Sequence, residues 1–126
     1  MTKSLKIVGD IKILDNTVQI NSETLNVFEN FSEITVQEIE LAKSDANISI
    51  NFGGIASDAT LLIILPSYDS AVASNYLTCK INGGSEVFNI GKMLVLSGYS
   101  TYGVDSITLT NPDTVYAVGV KVYICK

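Results

Sequence analysis

Apolar residues along this chain fall on alternate positions, in short runs that break at Asn, Asp, Gly and Pro, which is the period of strands rather than helices. From Ser106 to Asn111 the apolar side chains are odd-numbered (Ile107, Leu109), and from Tyr116 to Ile124 they are even-numbered (Tyr116, Val118, Val120, Val122, Ile124). Pairing these runs around Asn111-Pro112-Asp113-Thr114 sets Ile107 against Val118 and Leu109 against Tyr116, so the two apolar faces coincide. The same logic predicts two further hairpins. Leu5, Ile7, Ile11 and Ile13 are odd, Val18 and Ile20 are even, and a turn at Asp15-Asn16 places Ile13 opposite Val18 and Ile11 opposite Ile20. Asp and Asn tolerate the positive backbone angles of such turns. Leu77, Cys79 and Ile81 precede Gly83-Gly84, which sets Cys79 opposite Phe88 and Leu77 opposite Ile90.

Other strands lie between the hairpins. In Ala46–Phe52 every even residue is apolar until Gly53-Gly54, as in a half-buried strand. Thr60–Leu65, which stops at Pro66, and Met93–Leu96, before Gly98, are apolar on both faces and suit central strands. Glu33–Leu41 changes phase, with Ile34 and Val36 even but Ile39 and Leu41 odd, so a bulge is expected near Gln37. One short helix is expected over Ser22–Phe31, where Ser22 can cap and Leu25, Phe28 and Phe31 recur every third residue. Eight to ten strands in a chain of this size predict an all-β fold: a single-domain antiparallel β-sandwich over residues 1–126, jelly-roll-like, with at most one short helix. No long N-terminal arm is evident.

Composition narrows the chemistry. The 126 residues carry 13 acids against 8 bases, a formal net charge of −5, with every base a lysine and no histidine or tryptophan. Phosphate backbones are bound by clustered basic side chains, so no nucleic-acid partner is expected. Without histidine the chain lacks the usual general base, the usual partner of a serine or cysteine nucleophile, and the commonest transition-metal ligand. No apolar stretch approaches the roughly 18 residues of a membrane span, and Met1–Lys6 runs directly into a strand rather than a signal-peptide core. The expectation is a chain made in the cytoplasm, without a signal peptide, membrane contact, cofactor or metal. Cys79 and Cys125 are too few and too far apart in sequence for a disulfide framework or zinc site. Cys79 shares the apolar parity of its strand, Cys125 opposes it, and both are expected as free thiols.

Candidate sites are correspondingly few. Gly53-Gly54 and Gly83-Gly84 read as turn glycines, since neither precedes a helix that could hold a phosphate. Asp10, Glu23, Glu29, Glu33, Glu38 and Glu40 lie on polar strand faces or short connections, so no catalytic carboxylate pair is expected and the protein reads as a non-enzyme. Asp58, Asp69, Asp105 and Asp113 could bind calcium only if the fold gathered them. The loop Ser97–Asp105 is the candidate partner or glycan contact. Tyr99 and Tyr102 lie between Gly98 and Gly103 and, with Asp105, offer flat aromatic area with polar tips. The non-core face of the last strand, Ala117, Gly119, Lys121 and Tyr123, is the candidate subunit contact.

The succession Ala59-Thr-Leu-Leu-Ile-Ile-Leu-Pro-Ser67, Lys80-Ile-Asn-Gly-Gly84, Asn89-Ile-Gly-Lys-Met-Leu-Val-Leu-Ser-Gly98 and Ser106-Ile-Thr-Leu-Thr-Asn-Pro112 resembles small virion structural proteins of tailed bacteriophages. The resemblance covers roughly residues 46–126 and rests on generic strand-and-turn phrases. It implies an auxiliary or decoration protein on the outside of a phage capsid, of the crAss-like kind, with the major capsid protein or other virion proteins as partners and homo-oligomers as an option. The alternative it implies is a tail- or fibre-associated module binding a carbohydrate or receptor. No functional residue carries over position by position.

Overall fold

The computed structural model describes residues 2–55, 57–68, 76–97 and 103–126. The chain divides into two compact units, Met1–Ser32 and Glu33–Lys126. The described residues form ten strands and no helix.

The first unit is one antiparallel hairpin, β1 (Lys3–Asp15) and β2 (Val18–Phe31), and it pairs with neither sheet of the sandwich. The turn falls one residue later than the sequence suggests, at Asn16-Thr17, where φ is 46° and 70°. Both centres of a two-residue hairpin turn need this left-handed geometry, and Asn supplies it at least cost. Asp15 then faces Val18, Ile20 is skipped, and Ile13 and Ile11 face Asn21 and Glu23 rather than Val18 and Ile20. The one-residue shift still delivers a common apolar face, because skipping Ile20 carries Val18 onto the side occupied by Ile11 and Ile13. Leu5, Ile7, Leu25 and Val27 complete it.

The helix expected over Ser22–Phe31 is strand β2. Thr24 and Val27 are β-branched, and pairing with β1 runs from Phe31 down to Val18, so the ladder satisfies the backbone more fully than a short isolated helix could. Alternation outweighs the three-residue spacing of Leu25, Phe28 and Phe31. Leu25 and Val27 share the face of Ile7, while Phe28 stands on the other face beside Lys6.

The second unit is an antiparallel β-sandwich of two four-stranded sheets. Sheet I has the order β3 (Ile34–Leu41), β10 (Val118–Cys125), β5 (Leu61–Ser67), β8 (Leu94–Ser97). Sheet II has the order β4 (Ile48–Ser49), β9 (Ile107–Thr110), β6 (Leu77–Ile81), β7 (Phe88–Ile90). Strands nest by pairs, β3 with β10, β4 with β9, β5 with β8 and β6 with β7. Leu41, Leu62, Ile64, Leu77, Ile107, Leu109, Val122 and Ile124 meet in the core, essentially free of solvent.

The β6–β7 hairpin has the expected register, with Cys79 against Phe88 and Leu77 against Ile90. Its turn centres on Asn82 and Gly83, both at positive φ. The terminal pair does not form a hairpin. β9 pairs with β4 and β6 in sheet II, whereas β10 pairs with β3 and β5 in sheet I. Two apolar faces can meet side by side in one sheet or across the gap between two sheets, and here Ile107 and Leu109 meet Val118 and Val120 within one core cluster.

The crossover is fixed by Asn111, which is buried. Its Nδ2 donates to the carbonyls of Leu41, Ala42 and Tyr116, and its Oδ1 accepts from the Asp113 N–H. The Asp113 carboxylate accepts from the N–H groups of Val115 and Tyr116, so a turn takes the first two residues of the strand expected from Tyr116, and β10 begins at Val118.

Three smaller expectations also change. β3 pairs with β10 without a bulge from Ile34 to Leu41. Its core side takes Thr35, Gln37, Ile39 and Leu41 opposite the even residues of β10, which leaves Val36 outside and 47% exposed. β5 is central as expected but runs through Pro66, because β8 pairs only with Leu61–Ile64 and demands no N–H beyond them. β8 is an edge strand, with Leu94 and Leu96 packed on the core and Val95 outside. Cys79 and Cys125 are both buried and neither is in a disulfide, Cys125 being buried in spite of its parity.

Candidate functional site

The outward face of sheet I collects the candidate subunit contact. Alternation along β10 points Gly119, Lys121 and Tyr123 away from the core, while Ala117 precedes the strand and is exposed. Register adds the neighbours that alternation cannot name. Gly119 lies between Glu40 and Ser67, Lys121 between Glu38 and Leu65, and Tyr123 between Val36 and Ile63, with Val95 beyond Ile63. The face is thus an apolar band, Val36, Tyr123, Ile63 and Val95, beside a charged step.

Lys121 organises that step. Its Nζ lies 3.5 Å from Glu38 Oε1 and 5.8 Å from the centre of the Tyr123 ring. Tyr123 first, and Glu38 after it, hold the Lys121 ammonium above the ordinary lysine range through charge and hydrogen bonding. Both the pair and the cation–π contact are solvent-accessible, so they orient the side chains more than they stabilise the fold. Beside them an open groove of about 390 Å³ is lined by Glu38, Ile39, Leu65, Pro66, Ser67, Gly119, Val120 and Lys121. Gly119 forms part of its floor. A methyl group added there would meet only Ser67 Cβ, at 3.9 Å, so packing does not require glycine.

Of the loop candidate, Tyr99 and Tyr102 lie outside the described residues, and Asp105 is part of a backbone lock. Asp105 Oδ1 accepts from the Asp58 N–H at 2.7 Å. The Asp105 and Ser106 N–H groups donate to Asn82 Oδ1 at 2.6 and 3.2 Å, and Asn82 Nδ2 donates to the Gly103 carbonyl at 3.2 Å. Ala59 and Val104 exchange two further backbone hydrogen bonds of 2.9 Å. Gly103 fits because it has no side chain, since a Cβ would sit 2.5 Å from Asp58 Cα. Asn82 is visible in the sequence only as a turn residue; its second role, tying the β6–β7 turn to the start of β9, has no sequence signal.

The acids do not gather. Among the described residues no group of three or more histidines, cysteines or acids is close enough to hold a metal ion, and Asp69 lies outside them. Asp58 and Asp105 are neighbours through the backbone bond above, and Asp113 caps its own turn. Asp10 lies 4.0 Å from Lys12 on the hairpin. Cys79 is buried in the core, where burial pushes its thiol up to about 11.

The hairpin also exposes apolar side chains. Ile11, Ile13 and Val18 are each more than half exposed on one face, and Val8 and Phe28 are 62% exposed on the other. Isolated two-stranded ribbons are marginal in water, and contiguous exposed aliphatic surface marks a contact site.

No family model, curated protein or solved structure matches this chain.

Proposed function

We propose that the protein is a non-enzymatic structural component of a bacteriophage particle, an auxiliary or decoration protein that acts by covering surface on the assembled capsid. The observation that carries this reading is the hairpin with aliphatic side chains exposed on both faces, a surface suited to burial against other protein. Two features support it. The nested pairing of eight strands in two sheets is the order expected of a jelly roll, an architecture used by viral capsid and lectin domains. The sequence phrases in β5, β6, β8 and β9 resemble small phage virion proteins. A subunit that binds the assembled shell and not its free components stabilises the shell by mass action, and many modest contacts add through multivalency. Gly119, Lys121 and Tyr123, with Val36 and Val95 beside them, form the second contact face in this reading.

The test is co-sedimentation of the purified protein with capsids of the phage that encodes it, followed by capsid heat stability with and without the protein. Saturable binding with a raised disruption temperature is expected. A chain that never associates with particles refutes the reading, and binding to a glycan or host receptor instead supports the tail- or fibre-module alternative.

A further inference from the structure

β3 is the longest edge strand of the sandwich, and its core-side residues Thr35, Gln37 and Ile39 are only half-buried, because the sheet ends there. Such an edge presents unpaired N–H and C=O groups that template the addition of another strand. It is also acidic, with Glu38 and Glu40 on its outward side and no base. The hairpin offers two further edges. β2 carries Glu23 and Glu29 and no base, whereas β1 carries Lys3, Lys6 and Lys12 against Asp10 and Asp15, with Asp10 beside Lys12.

We propose that β1 of one copy adds antiparallel to β3 of a second copy, with Lys3–Asp10 running against Ile34–Leu41 and Lys6 opposite Glu38. Charge selects the strand, because β2 would set acid against acid whereas β1 brings lysines. Face selects the register. With Lys6 opposite Glu38, Val8 falls opposite Val36, two exposed side chains on the outward face, and Glu40 sits diagonal to Lys6. On the other face Leu5 falls opposite Ile39, so β1 prolongs the apolar side of the sheet where the core is incomplete. A shift of two residues sets Val8 against Glu38 in one direction and Lys6 against Val36 in the other, and a parallel addition that keeps the Lys6–Glu38 pair sets Val8 against Glu40. None of these joins the Lys6–Glu38 and Val8–Val36 matches. Among the described residues, neither Lys6 nor Glu40 has an ion-pair partner within its own chain. The addition also gives the ribbon the third strand that independent stability requires.

The inference does not rest on the virion reading, since it concerns contact between copies of this chain alone. Its test is sedimentation velocity on the full chain and on two charge reversals, Lys6→Glu and Glu38→Lys, each confirmed as folded by circular dichroism. The wild type is expected to self-associate, and each single variant to do so about tenfold more weakly. Mixing the two single variants is expected to restore association. The carboxylate introduced in β1 of one variant then meets the ammonium introduced in β3 of the other, while the reverse contact stays native. The double variant Lys6→Glu/Glu38→Lys is expected to recover by itself, which separates the inter-copy pair from loss of the Glu38–Lys121 contact. A wild type that is monomeric at every concentration, or single variants whose mixture remains as weak as its parts, overturns the proposal. Capsid binding by a monomeric chain would overturn it too while leaving the proposed function intact.

Discussion

Replacing Asn111 should unfasten the crossover between the two sheets. The side chain is 1% exposed, and its Nδ2 is shared among three carbonyl oxygens at 3.3, 3.2 and 3.0 Å, with Asp113 N–H held at 3.1 Å by Oδ1. Ala42 and Tyr116 are exposed, and the Ala42 carbonyl keeps the Asp45 N–H at 3.1 Å, so Asn111→Ala leaves chiefly the buried Leu41 carbonyl and the Asp113 N–H without this partner. Each buried orphan costs about 1–3 kcal/mol, for a net loss of about 2 kcal/mol. In a domain of this size that lowers the melting temperature by roughly 8–16 °C.

Urea unfolding monitored by circular dichroism measures the loss as a shift in midpoint at constant slope. Asn111→Asp sharpens the test, because it keeps the shape and replaces the donor with a carboxylate aimed at carbonyl oxygens. Its folded pKa would rise above the unfolded value of about 3.9. The unfolded state then releases the proton first as pH rises, so the penalty grows through that window and is largest at neutral pH. The reasoning fails if Asn111→Ala costs less than about 0.5 kcal/mol, the scatter expected for an uninvolved surface site, or if Asn111→Asp is as stable at pH 7 as at pH 4.

The remaining predictions use the same comparison of variants. Tyr68 donates to the Ile90 carbonyl at 2.6 Å and accepts from the Leu77 N–H at 2.9 Å, so Tyr68→Phe should cost about 1–2 kcal/mol in chemical denaturation. Gly103→Ala should destabilise the sandwich strongly while Gly119→Ala stays near neutral, because the added methyl meets Asp58 backbone at 2.5 Å in one case and Ser67 Cβ at 3.9 Å in the other; paired thermal melts decide it. Burial raises the Cys79 thiol from its usual 9.0 to about 11. The unfolded chain therefore loses that proton first, and stability should fall as pH rises from about 9 to 11, an effect that Cys79→Ala removes from the pH profile of unfolding.

Legibility in the sequence follows the range over which each feature is determined. The β6–β7 register can be read to the residue because Gly83-Gly84 marks the reversal locally, although the positive-φ positions fall one residue earlier, at Asn82 and Gly83. The β1–β2 turn is displaced by one position because Asp15-Asn16 and Asn16-Thr17 are nearly equivalent as turn chemistry, and only pairing along both strands decides between them. Alternation in β9 and β10 locates two apolar faces, but parity does not say whether such faces sit in one sheet or oppose each other across a core. Gly119, Lys121 and Tyr123 can be placed on one face from β10 alone. Their neighbours Glu38, Leu65 and Val36 cannot, since they depend on the β3·β10 and β5·β10 registers. The phase change in β3 mimics a bulge because Gln37 and Thr35 occupy core-side positions that apolar counting skips.

The nested order of the strands bears on how the chain folds. Within the sandwich, β6 and β7 are the innermost of the nested pairs and are joined by the shortest connection among them; each surrounding pair brings together residues further apart in sequence, and β10 lies between β3 and β5 in the interior of its sheet. Folding is therefore expected to start at Asn82-Gly83 and zip outward, slowly for the size of the chain because the outermost pair closes the longest loop. Sheet I stays open down its middle until the last strand in order arrives. During synthesis β3 and β5 wait with their ladder groups unpaired, while the local β1–β2 ribbon can already have formed.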